Sequence, residues 1–145
     1  MNILEKVKEI LTEYPKMSEF CNGIHTDFTE NKPGNFGLYP NGDTVLKTDI
    51  LGGQKRKHSF VLYANNQSFN DFERIANSTF LLELAYWLET VKNVPITVTV
   101  GTEEREGIIT KLSSANGMMF AAPTGDINDG VTYQLQIYAE YKVKG

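Results

Sequence analysis

Few residues in this chain have the side-chain chemistry and spacing that a reactive site requires. Cys21 stands four residues before His25, a thiol and an imidazole in one short stretch. A nucleophilic cysteine needs a base or cation that holds it as thiolate, and a zinc centre needs further Cys or His at motif spacing. The only other histidine is His58, which lies far along the chain. No serine sits in the kind of strained turn that a hydrolase triad uses. Cys21 therefore reads as an ordinary, partly buried thiol. Asp126-Ile127-Asn128-Asp129-Gly130 comes near a calcium loop, but it lacks alternating oxygen ligands and a distal glutamate, and it reads as a turn. Glu103, Glu104 and Glu106 surround Arg105, a pattern that suits a solvated hairpin tip better than a pair of acid–base carboxylates. No catalytic residue, metal ligand or cofactor site is expected, and the chain is not expected to be an enzyme.

Interaction surfaces are the better candidates. Lys55-Arg56-Lys57-His58 is the densest charge feature of the chain. One reading makes it a strand edge or a hairpin arm protected by its charge against aggregation. Another makes it a partner-facing patch that meets acidic protein or passing DNA. Glu103, Glu104 and Glu106 offer the opposite charge, so the two runs could pair neighbouring subunits. Met118 and Met119, flanked by Gly117 and Phe120, fit either a loop folded back on the core or an adaptable apolar contact.

The elements that must carry these residues follow from periodicity. Ile3, Leu4, Val7, Ile10, Leu11 and Tyr14 form one face of a helix over 2–14, started by Asn2 with Glu5 and stopped by Pro15. A strand is expected over 23–29, a turn over 30–35, and a short strand over 36–39 closed by Pro40-Asn41-Gly42. Residues 43–64 read as a hairpin with long arms that turns at Gly52-Gly53. Phe60, Leu62 and Ala64 alternate with Ser59, Val61 and Tyr63 on its return arm.

A long helix over about 70–92 follows, capped by Ser68 or Asn70 and with Asp71 and Glu73 in its first turn. Phe72, Ile75, Thr79, Leu82, Tyr86 and Glu89 lie along one side of it, flanked by Phe80, Leu84, Trp87, Leu88 and Val91. So wide an apolar surface implies cover on more than one side. Strands are expected at 96–100 and 107–112, then a loop over 113–130 with a short apolar piece at 118–122. In the last strand Tyr133, Leu135, Ile137, Ala139, Tyr141 and Val143 face one way, and Thr132, Gln134, Gln136, Tyr138, Glu140 and Lys142 the other. The expected fold is α+β, one domain over 1–145: an antiparallel or mixed sheet of about six strands with an N-terminal and a long central helix packed on it.

Composition bounds the function. The 145 residues can bury a real core without staples, and 41% hydrophobic with 22% charged residues is ordinary for a globular protein. A net charge of −4 excludes a chain that is basic throughout, as general nucleic-acid binders are. One cysteine excludes an internal disulfide framework and fits a reducing compartment. The charged amphipathic start does not read as a secretory signal, and no apolar run approaches a membrane span, so no membrane partner is expected.

Several segments carry a family resemblance. Phe60, Leu62 and Ala64, then Ser68 and Phe69, then Ile75, Asn77, Ser78 and Phe80, then Trp87, Leu88 and Glu89 recur in order and spacing. Together with the opening at Asn2–Leu11, the segment Phe36–Pro40 and the segment Asp43–Arg56, they resemble the minor capsid and tail terminator proteins of tailed phages and prophages of Gram-positive bacteria. The resemblance covers roughly residues 1–92 and the last strand.

It implies a tail-terminator-like α+β fold and a virion protein, or a component of a headless phage-tail-like particle, assembled in the host bacterial cytoplasm. Its copies would form a ring, usually a hexamer, on the head-proximal end of the tail tube. That ring would stop polymerisation and dock the neck. The implied partners are other copies of the chain and the tube protein, with sheath, neck or connector proteins beyond them and DNA only as passing cargo. A head–tail connector or stopper of the neck, and more distantly a small intracellular ligand-binding domain, are the alternatives. Lys55, Arg56, Lys57, Glu103, Glu104, Glu106, Met118 and Met119 are the candidate interface residues.

Overall fold

In a computed structural model the described residues are 1–21, 23–27, 34–66, 71–121 and 131–145, with the backbone alone at 71, 72, 74 and 118–121. Helix α1 (Ile3–Thr12) begins with the expected reciprocal cap: Glu5 N–H donates to Asn2 Oδ1 at 2.9 Å, and Asn2 N–H donates to Glu5 Oε1 at 3.2 Å. Val7, Ile10 and Leu11 bury its apolar face. A short helix not expected from periodicity, α2 (Met17–Phe20), follows Pro15.

Six strands form one mixed sheet in the order β1-β2-β3-β6-β5-β4. They are β1 (Gly23–Thr26), β2 (Asn35–Thr48), β3 (Gln54–Asn66), β4 (Val94–Val100), β5 (Glu103–Ala121) and β6 (Val131–Val143). The β1–β2 pair is parallel and the other pairs are antiparallel. Residues 28–33, 67–70 and 122–130 lie outside the described residues, and so do the proposed caps Ser68 and Asn70 and the Asp126–Gly130 turn.

Alternation decides which face of the sheet is buried. Phe60, Leu62 and Ala64 of β3 and Tyr133, Leu135, Ile137, Ala139, Tyr141 and Val143 of β6 are all buried, as their period of two requires. Helix α3 (Asp71–Thr90) lies on this face and packs against β5. Its Phe80 ring meets Tyr14, Phe20 and Phe36 at centroid distances of 5.7, 4.4 and 5.8 Å, gathering the α1–α2 connection, α2, α3 and β2 around one aromatic cluster. Each such fully buried aromatic or leucine contributes about 1.5–3 kcal/mol relative to exposure.

Three expectations change here. The turn at Pro40-Asn41-Gly42 is a bulge inside one continuous strand, since the β2–β3 register shifts between Pro40 and Asp43 and Gly42 takes a φ of 113°. Residues 113–121 belong to β5, not to a loop, because backbone pairing to β6 from Ser113↔Tyr138 to Ala121↔Thr132 does not depend on apolar side chains.

On α3 the buried positions are Asn77, Phe80, Leu81, Leu84 and Leu88. The predicted stripe of Ile75, Thr79, Leu82, Tyr86 and Glu89 is exposed, because the sheet covers only one side of the helix. Glu103, Glu104 and Glu106 lie in β5, paired with Val100, Thr99 and Thr97, beyond the Gly101-Thr102 turn.

Candidate functional site

The outer half of β2 and the turn of the β2–β3 hairpin stand clear of the core: every residue from 41 to 52 is exposed. Its tip is rigidly built. Asp49 Oδ1 accepts from Leu51 N–H at 2.9 Å and from Gly53 N–H at 2.8 Å, and Asp49 N–H donates to the Gly53 carbonyl at 2.8 Å. The expected glycine pair is needed here: Gly52 has a φ of 85°, and a Cβ at Gly53 would meet Asp49 Oδ2 at 2.6 Å. This turn holds Ile50 and Leu51 in solvent, 102% and 86% exposed, while Val45 and Leu46 lie exposed behind them.

A polar cluster fixes the base of this arm. Asp43 on β2 accepts from Arg56 Nε on β3 at 2.6 Å and from the Tyr141 hydroxyl on β6, and Arg56 also donates to Gln54 Oε1 at 2.5 Å. Burial, reinforced by the bond to Asp43, pushes the Tyr141 hydroxyl well above the usual tyrosine range. The cluster spans three strands and holds the arm in line with the sheet.

Pairing resolves the basic run. Lys55 and Lys57 share the sheet face opposite the core, while Arg56 points the other way to Asp43. Because β3 lies between β2 and β6, these lysines are not on a sheet edge, so edge protection does not account for them. Lys57 Nζ sits 4.4 Å over the Tyr138 ring. Cross-strand register puts Lys47 opposite Lys55 and Lys55 opposite Lys142, three lysines in one row. Alternation alone puts Lys142 on the outer face; the row itself is visible only once register is known.

Beside this row lies a groove of about 1200 Å³, into whose lining the structure brings Lys55 and Glu106 together with Lys47, Lys142 and Lys144. The acidic residues are partly engaged within the chain: Glu106 pairs with Lys144 at 2.7 Å, and Glu103 lies 3.6 Å from Arg105. The Lys144 pair depresses the Glu106 carboxyl. Met118 and Met119 pair through their backbones with Gln134 and Tyr133, so they belong to β5 and not to a loop.

Cys21 Sγ lies 3.2 Å from the Gly23 carbonyl, and burial raises its pKa, which disfavours the thiolate. His58 is buried and stacks on Phe60 at 4.4 Å. Among the described residues no three His, Cys, Asp or Glu side chains come together as a metal set, and no helix is long and apolar enough to cross a membrane.

A second apolar feature, expected to be covered, is exposed on α3. Ile75, Leu82 and Tyr86, at 66%, 52% and 61% exposure, line the side of α3 away from the sheet. Their spacing was legible; what covers them was not. No protein-family model and no curated protein matches this chain.

Proposed function

We propose that this chain is a non-enzymatic structural protein, a tail terminator whose copies close into a ring on the head-proximal end of a tail tube, stop its growth and present the neck with a docking surface. The observation that carries the reading is the rigid, fully exposed hairpin arm with Ile50 and Leu51 at its tip. A solitary globular domain gains nothing by holding two large aliphatic side chains in water, whereas a contact element does. Closed rings use heterologous contacts, in which two different patches of each copy meet. The arm supplies one apolar patch and the Ile75–Leu82–Tyr86 side of α3 a second, on separate elements. The mixed six-stranded α+β architecture is compatible with this reading; of the segments that carry the family resemblance, Asp43–Arg56 forms the arm, and Phe60, Leu62, Ala64, Phe80 and Leu88 are buried in the scaffold beneath it.

The test is electron microscopy of tube protein polymerised with and without this chain. A ring of cyclic symmetry at one end, with growth arrested at that end, is the expected result. Rings that bind heads but leave tube growth unaltered would move the assignment to a neck connector. Tubes that ignore the chain would refute both.

A further inference from the structure

The lysine row has a consequence that ring assembly does not require. Lys47, Lys55 and Lys142 occupy directly opposed positions on β2, β3 and β6, so their side chains rise from one face of the sheet. With strands about 4.8 Å apart, the three stems span roughly 10 Å. Like charges directly opposite one another destabilise a sheet. Among the described residues none of these three ammonium groups has a carboxylate partner, although other lysines do, as with Lys6 and Glu9, Lys16 and Glu83, or Lys144 and Glu106.

Edge protection explains Lys47 alone, since Lys55 and Lys142 lie on interior strands. The carboxylate nearest the row at the tip, Asp49, is committed to the turn amides. Glu140, opposite Lys57 on the same face, offsets the row only in part, and an anion that spans the three lysines stabilises it further.

We propose that the row binds the backbone of a single-stranded nucleic acid without reading its sequence. Phosphates rest on Lys47, Lys55 and Lys142, and bases lie toward the rings further along the same face. Those rings are Tyr138, with Lys57 over it at 4.4 Å, and the Tyr39–Tyr63 pair at 5.2 Å. A basic track beside aromatic side chains is the arrangement that holds single strands, because bases have flat faces and phosphates carry the charge. An acidic peptide would satisfy the lysines but would bring no flat ring to stack on the tyrosines. A second copy's acidic strand fits less well, since Glu103 and Glu106 already lie beside Arg105 and Lys144. The net charge of −4 does not oppose this, because charges act locally: Glu106 in the adjoining groove is paired with Lys144, and Glu140 lies among Lys57, Lys111 and Lys142.

The experiment is fluorescence anisotropy with a labelled oligothymidylate over a salt series. Three phosphate contacts predict a slope of log K against log salt of about −2, or roughly a 20-fold loss between about 50 and 200 mM salt. The variant Lys55→Gln with Lys142→Gln should reduce the slope to about −0.7. Lys8→Gln with Lys92→Gln removes the same charge elsewhere and should leave the slope unchanged. Tyr138→Leu should weaken binding roughly tenfold with the slope intact. Circular dichroism establishes that each variant is folded. Absence of binding at low salt, an unaltered slope in the Lys55/Lys142 variant, equal affinity for duplex DNA, or equal affinity for polyglutamate would each overturn the proposal.

Discussion

The two outer edges of the sheet are finished differently. On β4, Pro95 offers no N–H, and Thr97 N–H donates to the Met1 carbonyl at 2.8 Å, so the N-terminus closes part of that edge. On β2, β1 lies alongside only Asn35–Leu38, and from Asp43 to Thr48 no described strand lies on the outer side. That open stretch carries exposed Val45 and Leu46 and ends in the tip of Ile50 and Leu51. An uncovered apolar strand edge is an aggregation liability that folded proteins ordinarily blunt. The chain blunts the β4 edge and leaves the β2 edge available, relieved only by Lys47. The proposed contact element is this arm, which is braced by Asp49 at one end and the Asp43–Arg56–Tyr141 cluster at the other.

Variants can separate the part of the hairpin that holds the fold from the part that meets a partner. The largest loss of stability is expected from Phe60→Ala on the core half of β3, where the side chain is 1% exposed: about 3–5 kcal/mol, read from denaturant midpoints. At the base of the arm, Tyr141→Phe removes one donor from Asp43 and should cost about 1–2 kcal/mol.

The same hydroxyl gives a pH dependence. Its pKa is raised on folding, so its contribution is complete below the ordinary tyrosine value of about 10 and is lost as pH climbs above it. Chemical denaturation at rising alkaline pH should show the wild type losing stability faster than Tyr141→Phe. On the closed edge, Pro95→Val restores an N–H and should raise light scattering on concentration while changing stability by less than about 1 kcal/mol. Smallest of all for folding is the tip: Ile50→Lys with Leu51→Lys should move stability by no more than about 0.5 kcal/mol, yet remove ring formation in native mass spectrometry.

How much of this was legible in the sequence depends on whether the information is local. Helix α1 was readable to its capping pair, because Asn2 and Glu5 are three residues apart and act on each other's backbones. The core faces of β3 and β6 followed from alternation, and the tip from Gly52-Gly53. The buried side of α3 was not readable, since Phe80, Leu84 and Leu88 compete with Ile75, Leu82 and Tyr86 and only the position of the sheet decides between them. The strand through Ser113–Gly117 was hidden because its residues are small and polar while its pairing with β6 is made by the backbone. At the candidate site, Lys55 and Lys57 stood out as part of a run. Lys47 and Lys142 acquire meaning only through register, and Asp43 meets Tyr141 across 98 residues of chain.

The most direct measurement is the length distribution of tails, imaged by electron microscopy, in particles assembled with the wild-type chain, without it, and with the Ile50→Lys, Leu51→Lys variant. The account predicts one sharp length with the wild type, and broad, overlong tails both in its absence and with the tip variant. Tails of normal length in the absence of the chain would contradict it.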